Sequence, residues 1–423
     1  MEKEVRSNMG ATAKATNTIT RKKYATIFAL IGAALILVSI IVAVAAPKDQ
    51  VYDLWMYILL VGIATSAYGV SQLLRKEQHS VPVEFTKSNA KTFLTNNAIM
   101  IALLALVVFI MIKEPRFMKY QVLLDIMTQA SPRLIIALGI CFTLLIAGTD
   151  LSAGRMVGLA AVLSTSMLQT ETYANRFFPN LPQLPVIIPI LAGIAACVLF
   201  GVLNGFLVAK FDMHPFIATL ATEVMIYGAC SLYFDMPPNN SQPIGGVRPD
   251  FTVIGQKKIF QNIGGSTFVG ISVLIPIALI TCIIIWFVLN KTVFGKNVYA
   301  VGGNREAAVV SGVNVFKTIM MIFILAAFLY GIAGVLEAAR TAGATNNYGN
   351  GYELDAIAAC VVGGVSLNGG IGKIGGIVSG VLIFTVIQYG LQFIGVSPMW
   401  QQVIKGIIIA VAVAIDMGKY RRR

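Results

Sequence analysis

Few residues in this chain have the type and spacing needed to make or break a covalent bond. Gly-Lys pairs occur at Gly295-Lys296, Gly372-Lys373 and Gly418-Lys419, but each lacks the upstream glycine and following Ser or Thr of a P-loop. Gly370-x-Gly372-x-x-Gly375 has dinucleotide-fingerprint spacing, yet it falls between two apolar runs with no strand before it and reads as a glycine-rich helix break. HExxH and GxSxG are absent, and no two carboxylates adjoin. The five cysteines and two histidines form no CxxC or metal-ligand pattern, so no metal site is expected. What remains is polar chemistry in apolar surroundings. Asn204, Glu223, Tyr227, Glu337, Asp355, Gln388 and Gln392 all fall in or beside long apolar runs. Glu223 and Tyr227 share one helical face at i,i+4, as do Gln388 and Gln392. Each is a candidate for lining a path through the membrane, or for a plain helix–helix hydrogen bond.

The elements that must position these residues are membrane helices. Hydrophobic residues make up 57% of the 423, and charged residues only 12%, about half the charge of an ordinary soluble domain. Apolar runs fall at about 24–46, 53–73, 93–112, 133–148, 153–169, 186–211, 215–234, 270–290, 318–338, 354–368, 373–394 and 401–416, giving about twelve spans. Runs 133–148, 153–169 and 354–368 are short and glycine-rich, as broken or tightly packed helices are. The expected fold is an all-α polytopic membrane protein, and continuous rather than alternating runs exclude a β-barrel. The net charge of +13 is read as loop charge rather than a nucleic-acid surface. With both termini inside, Lys and Arg favour the cytoplasmic segments by roughly two to one. Only the external stretch 113–133 argues the other way.

Segment 291–317 is the longest internal loop between spans. Gly302-Gly303-Asn304 is a turn signal, Asn304 an N-cap candidate and Gly312 a C-cap candidate. Between them Arg305, Glu306 and the small Ala307 and Ala308 would form a short helix able to enter a groove on another protein, or a plain connector. In Gly148-Thr149-Asp150-Leu151-Ser152-Ala153-Gly154-Arg155, Asp150 is expected to cap the helix it begins, with Ser152 beside it. Asp150-x-x-Ala153-x-x-x-Val157-Gly158 recurs as Asp355-x-x-Ala358-x-x-x-Val362-Gly363, at the starts of the fifth and tenth spans. An odd separation makes the two copies run in opposite directions, as inverted repeats of transporters do.

These motifs resemble a known family. The 148–155 segment followed by Val157-Gly158-Leu159-Ala160-Ala161 is similar to the most distinctive motif of permease subunits of sugar-importing ABC transporters. Arg155 resembles the galactose/methyl-galactoside branch rather than the ribose branch. Glu337-Ala338-Ala339-Arg340, Ala344-Thr345-Asn346-Asn347 and the run from Tyr352 to Ser366 look like the same branch. The resemblance covers roughly 93–423, implying a core of about ten helices. Residues 1–92, with two extra spans, depart from it. It implies a permease homodimer in the bacterial cytoplasmic membrane that performs no covalent catalysis. It also implies a separate ATPase, carrying ATP and Mg, docked at 291–317, and an extracytoplasmic sugar-binding protein. The external segment 235–269, with Arg248, Lys257 and Lys258, is the expected docking surface for that protein. A sugar would then meet the intramembrane polar residues. The rival from another class is an ion-coupled secondary sugar symporter, in which Glu223, Glu337 or Asp355 carries a proton.

Overall fold

The computed structural model describes residues 25–41, scattered positions between 58 and 70, and residues 98–261 and 270–420. Most of the expected span 53–73, and residues 262–269 of the external segment, lie outside the described residues. The chain divides into two compact units, 1–123 and 124–423. In the first, α1 (Ala25–Ile41) is a short apolar helix. Gly32 there faces Ser66, whose hydroxyl donates to the Ala29 carbonyl. Helix α2 (Ala98–Lys113) follows, then a 3-10 turn over Pro115–Met118.

The second unit takes in most of α3 (Tyr120–Leu145), followed by α4 (Ala153–Ser166), α5 (Ile187–Phe211), α6 (Pro215–Asp235) and the short α7 (Pro249–Gln256). A two-stranded antiparallel hairpin pairs β1 (Lys258–Ile259) with β2 (Ile271–Ser272). Then come α8 (Leu274–Lys291), α9 (Val293–Gly303), α10 (Arg305–Val310), α11 (Val315–Thr341), α12 (Tyr352–Val362), α13 (Ile374–Phe393) and α14 (Pro398–Tyr420). Six of these, α3, α5, α6, α8, α11 and α13, are long and apolar enough to cross a membrane. α3 begins well before the expected span at 133. Thr128 and Ser131 bond back to the Leu124 and Met127 carbonyls beside Pro132, which the helix accommodates. Residues 120–133 are therefore helix rather than external loop, and Arg133 is not a loop cation.

Helix α11 is the hub, packed against α5 and α4. Close approach depends on small residues, since in lipid there is little hydrophobic drive between helices and packing must supply the attraction. A Cβ on Gly201 would strike Ala327 and the Phe323 carbonyl, and one on Gly334 would strike the Val157 carbonyl.

Two ends can be told apart. At one, the Gly370 N–H donates to the Leu145 carbonyl at 2.8 Å, Gly302 abuts the same carbonyl, and Gly148 abuts Pro215. At the other, isolated bridges join Gln169 to Val247 and Ile244 to Ala344. Segments around 146–150, 212–215, 301–305 and 369–372, all expected inside, thus share one end. Helix α4 runs from that end toward the Gln169 end, and the stretch from Ala344 through α12 to Gly370 runs back. The two short helices are oppositely directed, as the recurring pattern requires. Their aspartates are not equivalent: Asp150 precedes α4 in non-helical chain, whereas Asp355 lies in the first turn of α12.

Candidate functional site

The 148–155 motif is an unwound leader followed by a buried helix start. Asp150 is 1% exposed, and its Oδ1 accepts from the Ser152 N–H (3.0 Å) and the Ser152 hydroxyl (2.6 Å). The carboxylate therefore secures the residue that caps α4 rather than the helix's own first amides. Asn204 Nδ2 donates to Ser152 Oγ (3.0 Å), and Thr222 Oγ1 donates to Asn204 Oδ1 (2.7 Å). Thr219 accepts from the Leu151 N–H and donates to the Thr149 carbonyl, both at 3.1 Å. This network, buried at Asp150, Ser152, Asn204, Thr219 and Thr222, ties the leader to α5 and α6, which makes Asn204 a helix-linking residue.

Arg155 points out of that network. Its guanidinium lies 4.4 Å from the Tyr227 ring centroid and donates to Asn350 Oδ1 at 3.1 Å. That cation–π contact is worth about 0.5–2 kcal/mol, depending on desolvation. Glu223, half-buried one turn before Tyr227, shares this neighbourhood. Gly154 is pressed against the Glu353 carboxylate and the Gly349 carbonyl, so a side chain there would separate α4 from the start of α12. Glu337 is 5% exposed and held by Arg340 through two bonds of 2.7 and 2.9 Å, so it faces its own helix rather than a cavity.

A second gathering of polar side chains lies among α3, α12, α13 and α14. Lys405 Nζ is 2.8 Å from Asp355 Oδ1 and donates to Oδ2 at 3.0 Å. Gln388 Nε2 donates to Asp355 Oδ2 at 2.9 Å, and Arg133 donates to Gln388 Oε1. Arg133 also sits 5.9 Å over the Tyr352 ring. Beside this cluster opens a cleft of about 250 Å³, lined by Gln129, Gln392, Gln401 and Gln402 together with Asn350, Asp355, Tyr389 and Lys405. The structure thus brings Asp355, Gln388 and Gln392 together, and Asn350 links them to the Arg155–Tyr227 group. Sequence reading missed Arg133, Glu353 and Asn350. Lys405 was visible as a lone cation in an apolar run, but nothing in the sequence joined it to Asp355.

Segment 291–317 is two helices rather than a loop. Thr292 caps α9, Asn304 caps α10 by accepting from the Ala307 N–H (2.9 Å), and Asn314 caps α11. Gly312 closes the turn at φ +81°, a conformation open to glycine at no steric cost. Gly303 has no close neighbour, and Gly302 abuts the Leu145 carbonyl. Arg305 pairs with Asp212 at the surface. The expectation that Ala307 and Ala308 both face outward is corrected. Ala308 is 3% exposed in a cluster with Val208, Ala218, Val301, Val315, Ile319 and Phe323. Val309 and Val310 are the exposed apolar residues, at 58% and 89%. A six-residue helix with one buried alanine must turn its neighbours to solvent.

The described residues of the external segment include a short helix and a hairpin. Arg248 is engaged with Asp250 and with the Leu184 carbonyl (2.8 Å), so it is a structural cation. Lys257 is exposed and Lys258 half-buried in the hairpin.

The profile of the family described as branched-chain amino acid transport system / permease component matches residues 122–413. The chain is 48% identical to the galactose/methyl galactoside import permease protein of Haemophilus influenzae over 337 residues, 80% of this chain and 98% of that protein. It is 46% identical to the protein of the same name from Escherichia coli, with the same coverage. The ribose import permease protein of Bacillus subtilis is 37% identical over 75% of this chain and 92% of its own length. No solved structure matches. With the matched region taking in the buried motif network, the polar cleft and the capped helices alike, the chain belongs to this family of transport-system permease components.

Proposed function

We propose that this chain is the membrane-spanning subunit of an ATP-driven importer of galactose, methyl galactoside or a related simple sugar, working by alternating access. The observation that carries the reading is the identity of 46–48% along nearly the whole length of two import permeases of that name. The chain has no P-loop, so ATP and Mg would be handled by a separate ATPase. A sugar-binding protein would deliver substrate at the opposite face. Two copies of the chain would enclose the path in the bacterial cytoplasmic membrane. Residues 1–92 would be an appendage to the transport core of 93–423.

Under this reading α10 is the ATPase contact. Arg305, Glu306, Ala307, Val309 and Val310 present its outer face, and Ala308 anchors it to the permease. Lys257 and Lys258 are the cations available to an acidic binding protein. Asp355, Gln388, Gln392, Glu223 and Tyr227 lie along the polar face expected to meet the sugar.

Reconstitution tests the proposal. Proteoliposomes holding permease and ATPase should accumulate labelled galactose only with internal ATP and external binding protein, and a protonophore should leave uptake intact. Uptake that needs no ATP and collapses with the protonophore would identify a symporter instead.

A further inference from the structure

Two oppositely charged side chains lie where α4 packs on the start of α12, and they are not paired with each other. Glu353 is only 7% exposed, yet among the described residues its carboxylate forms no ion pair and no hydrogen bond to another residue. It turns back toward its own N–H in the first turn of α12, where the helix dipole favours an anion. One of its oxygens presses on Gly154, the residue before Arg155. Arg155 has the complementary deficit. Its Nη2 donates to Asn350 and its guanidinium covers the Tyr227 ring, but its Nη1 is buried with no hydrogen-bond partner. A charged donor or acceptor left buried and unsatisfied is costly, and these two are within Coulombic reach of one another. The other carboxylates nearby do not share the deficit: Glu223 is only half-buried, and Asp355 is engaged by Lys405 and Gln388.

We propose that Glu353 is a positioning residue for transport, the second seat of a two-position Arg155. In the conformation seen here Arg155 clasps α6 through Tyr227 and the 342–351 leader through Asn350. In the alternate conformation it swings inward and pairs with Glu353, which completes both unsatisfied groups at once. The proposal rests on the import function above and adds to it the switch that releases α6. Alternating access requires elements with two discrete arrangements, and an arginine that exchanges a ring and an amide for a carboxylate supplies one. Tyr227 is 44% exposed, so the clasp sits at the subunit surface, where a path between two copies would run.

The test uses the assembled permease–ATPase complex in nanodiscs and proteoliposomes. Glu353→Gln keeps the shape of the side chain and removes its charge. It should lower the thermal transition by about 3 °C or more in one state only, nucleotide-free or vanadate-trapped, whereas loss of a plain packing residue lowers both. In an Arg155→Gln background that one-state shift should vanish, because the partner is already gone. ATP-driven galactose uptake should fall at least tenfold in Glu353→Gln, while Glu353→Asp, which keeps the carboxylate, should stay within threefold of wild type. Equal shifts in the two states (none included), a shift that persists without Arg155, unchanged uptake, or a Glu353→Gln complex that does not assemble would each overturn the switch. The same one-state shift from Glu223→Gln in place of Glu353→Gln would overturn the choice of carboxylate. A wild-type complex that takes up no galactose, with the one-state shift present, would support the switch and count against the import function.

Discussion

Substituting Val310 and Ala308 separately distinguishes a docking helix from a passive connector. The side chain of Ala308 lies among six packed neighbours, and Ala308→Trp would have to fit an indole where there is room for a methyl group. Overpacking of this kind costs about 1–3 kcal/mol. A helix of six residues has few other contacts to hold it in place, so α10 should be displaced from the α5–α11 surface. The variant is expected to lower the thermal transition of the solubilised permease with or without the ATPase. Val310, 89% exposed, contributes almost nothing to the isolated fold, and Val310→Asp should leave its transition unchanged. If α10 enters an ATPase groove, covering a valine contributes about 1.5–3 kcal/mol, or roughly 10- to 100-fold in affinity. Introducing a carboxylate should forfeit at least that. Titration of labelled ATPase onto nanodisc-embedded permease measures both. Equal ATPase affinity for wild type and Val310→Asp would remove α10 from the interface, and an unshifted transition for Ala308→Trp would refute the packing.

Three further outcomes are expected. Asp150→Ala strands the buried Ser152 N–H and hydroxyl and should cost about 3 kcal/mol, whereas Asp150→Asn keeps an acceptor at the same place and should cost about half; thermal unfolding of the two variants checks the ratio. Lys405→Met leaves Asp355 charged and unpaired and should destabilise by roughly 3 kcal/mol, with Lys405→Met plus Asp355→Leu recovering most of it. Lys257→Glu with Lys258→Glu should raise the concentration of loaded binding protein that half-saturates uptake, most clearly at low salt, while Arg248→Glu should impair assembly because Arg248 is held inside its own segment.

Much of the architecture was legible because lipid imposes a plain rule: backbone must be satisfied within helices, so apolar runs mark them. The short runs at 153–169 and 354–368 correspond to α4 and α12, both too short to cross alone. The caps Asn304 and Gly312 were legible because capping is local chemistry, readable within four residues. What failed was long-range or directional. Nothing local couples Lys405 to Asp355 fifty residues away, or Arg133 to Gln388. A six-residue helix does not announce which face it buries, so Ala307 and Ala308 looked alike although only one is inside. Arg133 was read as loop because charge was weighed against span length, and a 26-residue helix containing Pro132 was not expected.

The shortness of α4 and α12 bears on how the chain enters its bilayer. Eleven residues of α-helix rise about 17 Å and fourteen about 21 Å, against a hydrocarbon thickness near 30 Å. Neither could partition from a translocon as an independent segment. The non-helical leaders 146–152 and 342–351 would expose bare peptide groups to acyl chains. Leader 146–152 must therefore stay sheltered until α5, α6 and α11 have been synthesised and can pack around it and α4, whereas leader 342–351, made after them, finds Gly154 and Gly158 of α4 already in the chain. Biogenesis would be late-completing: long helices first, short ones folded in afterwards from an aqueous or chaperoned waiting state. Ribosome-stalled chains ending before α11 should keep residues 146–152 reactive to water-soluble probes.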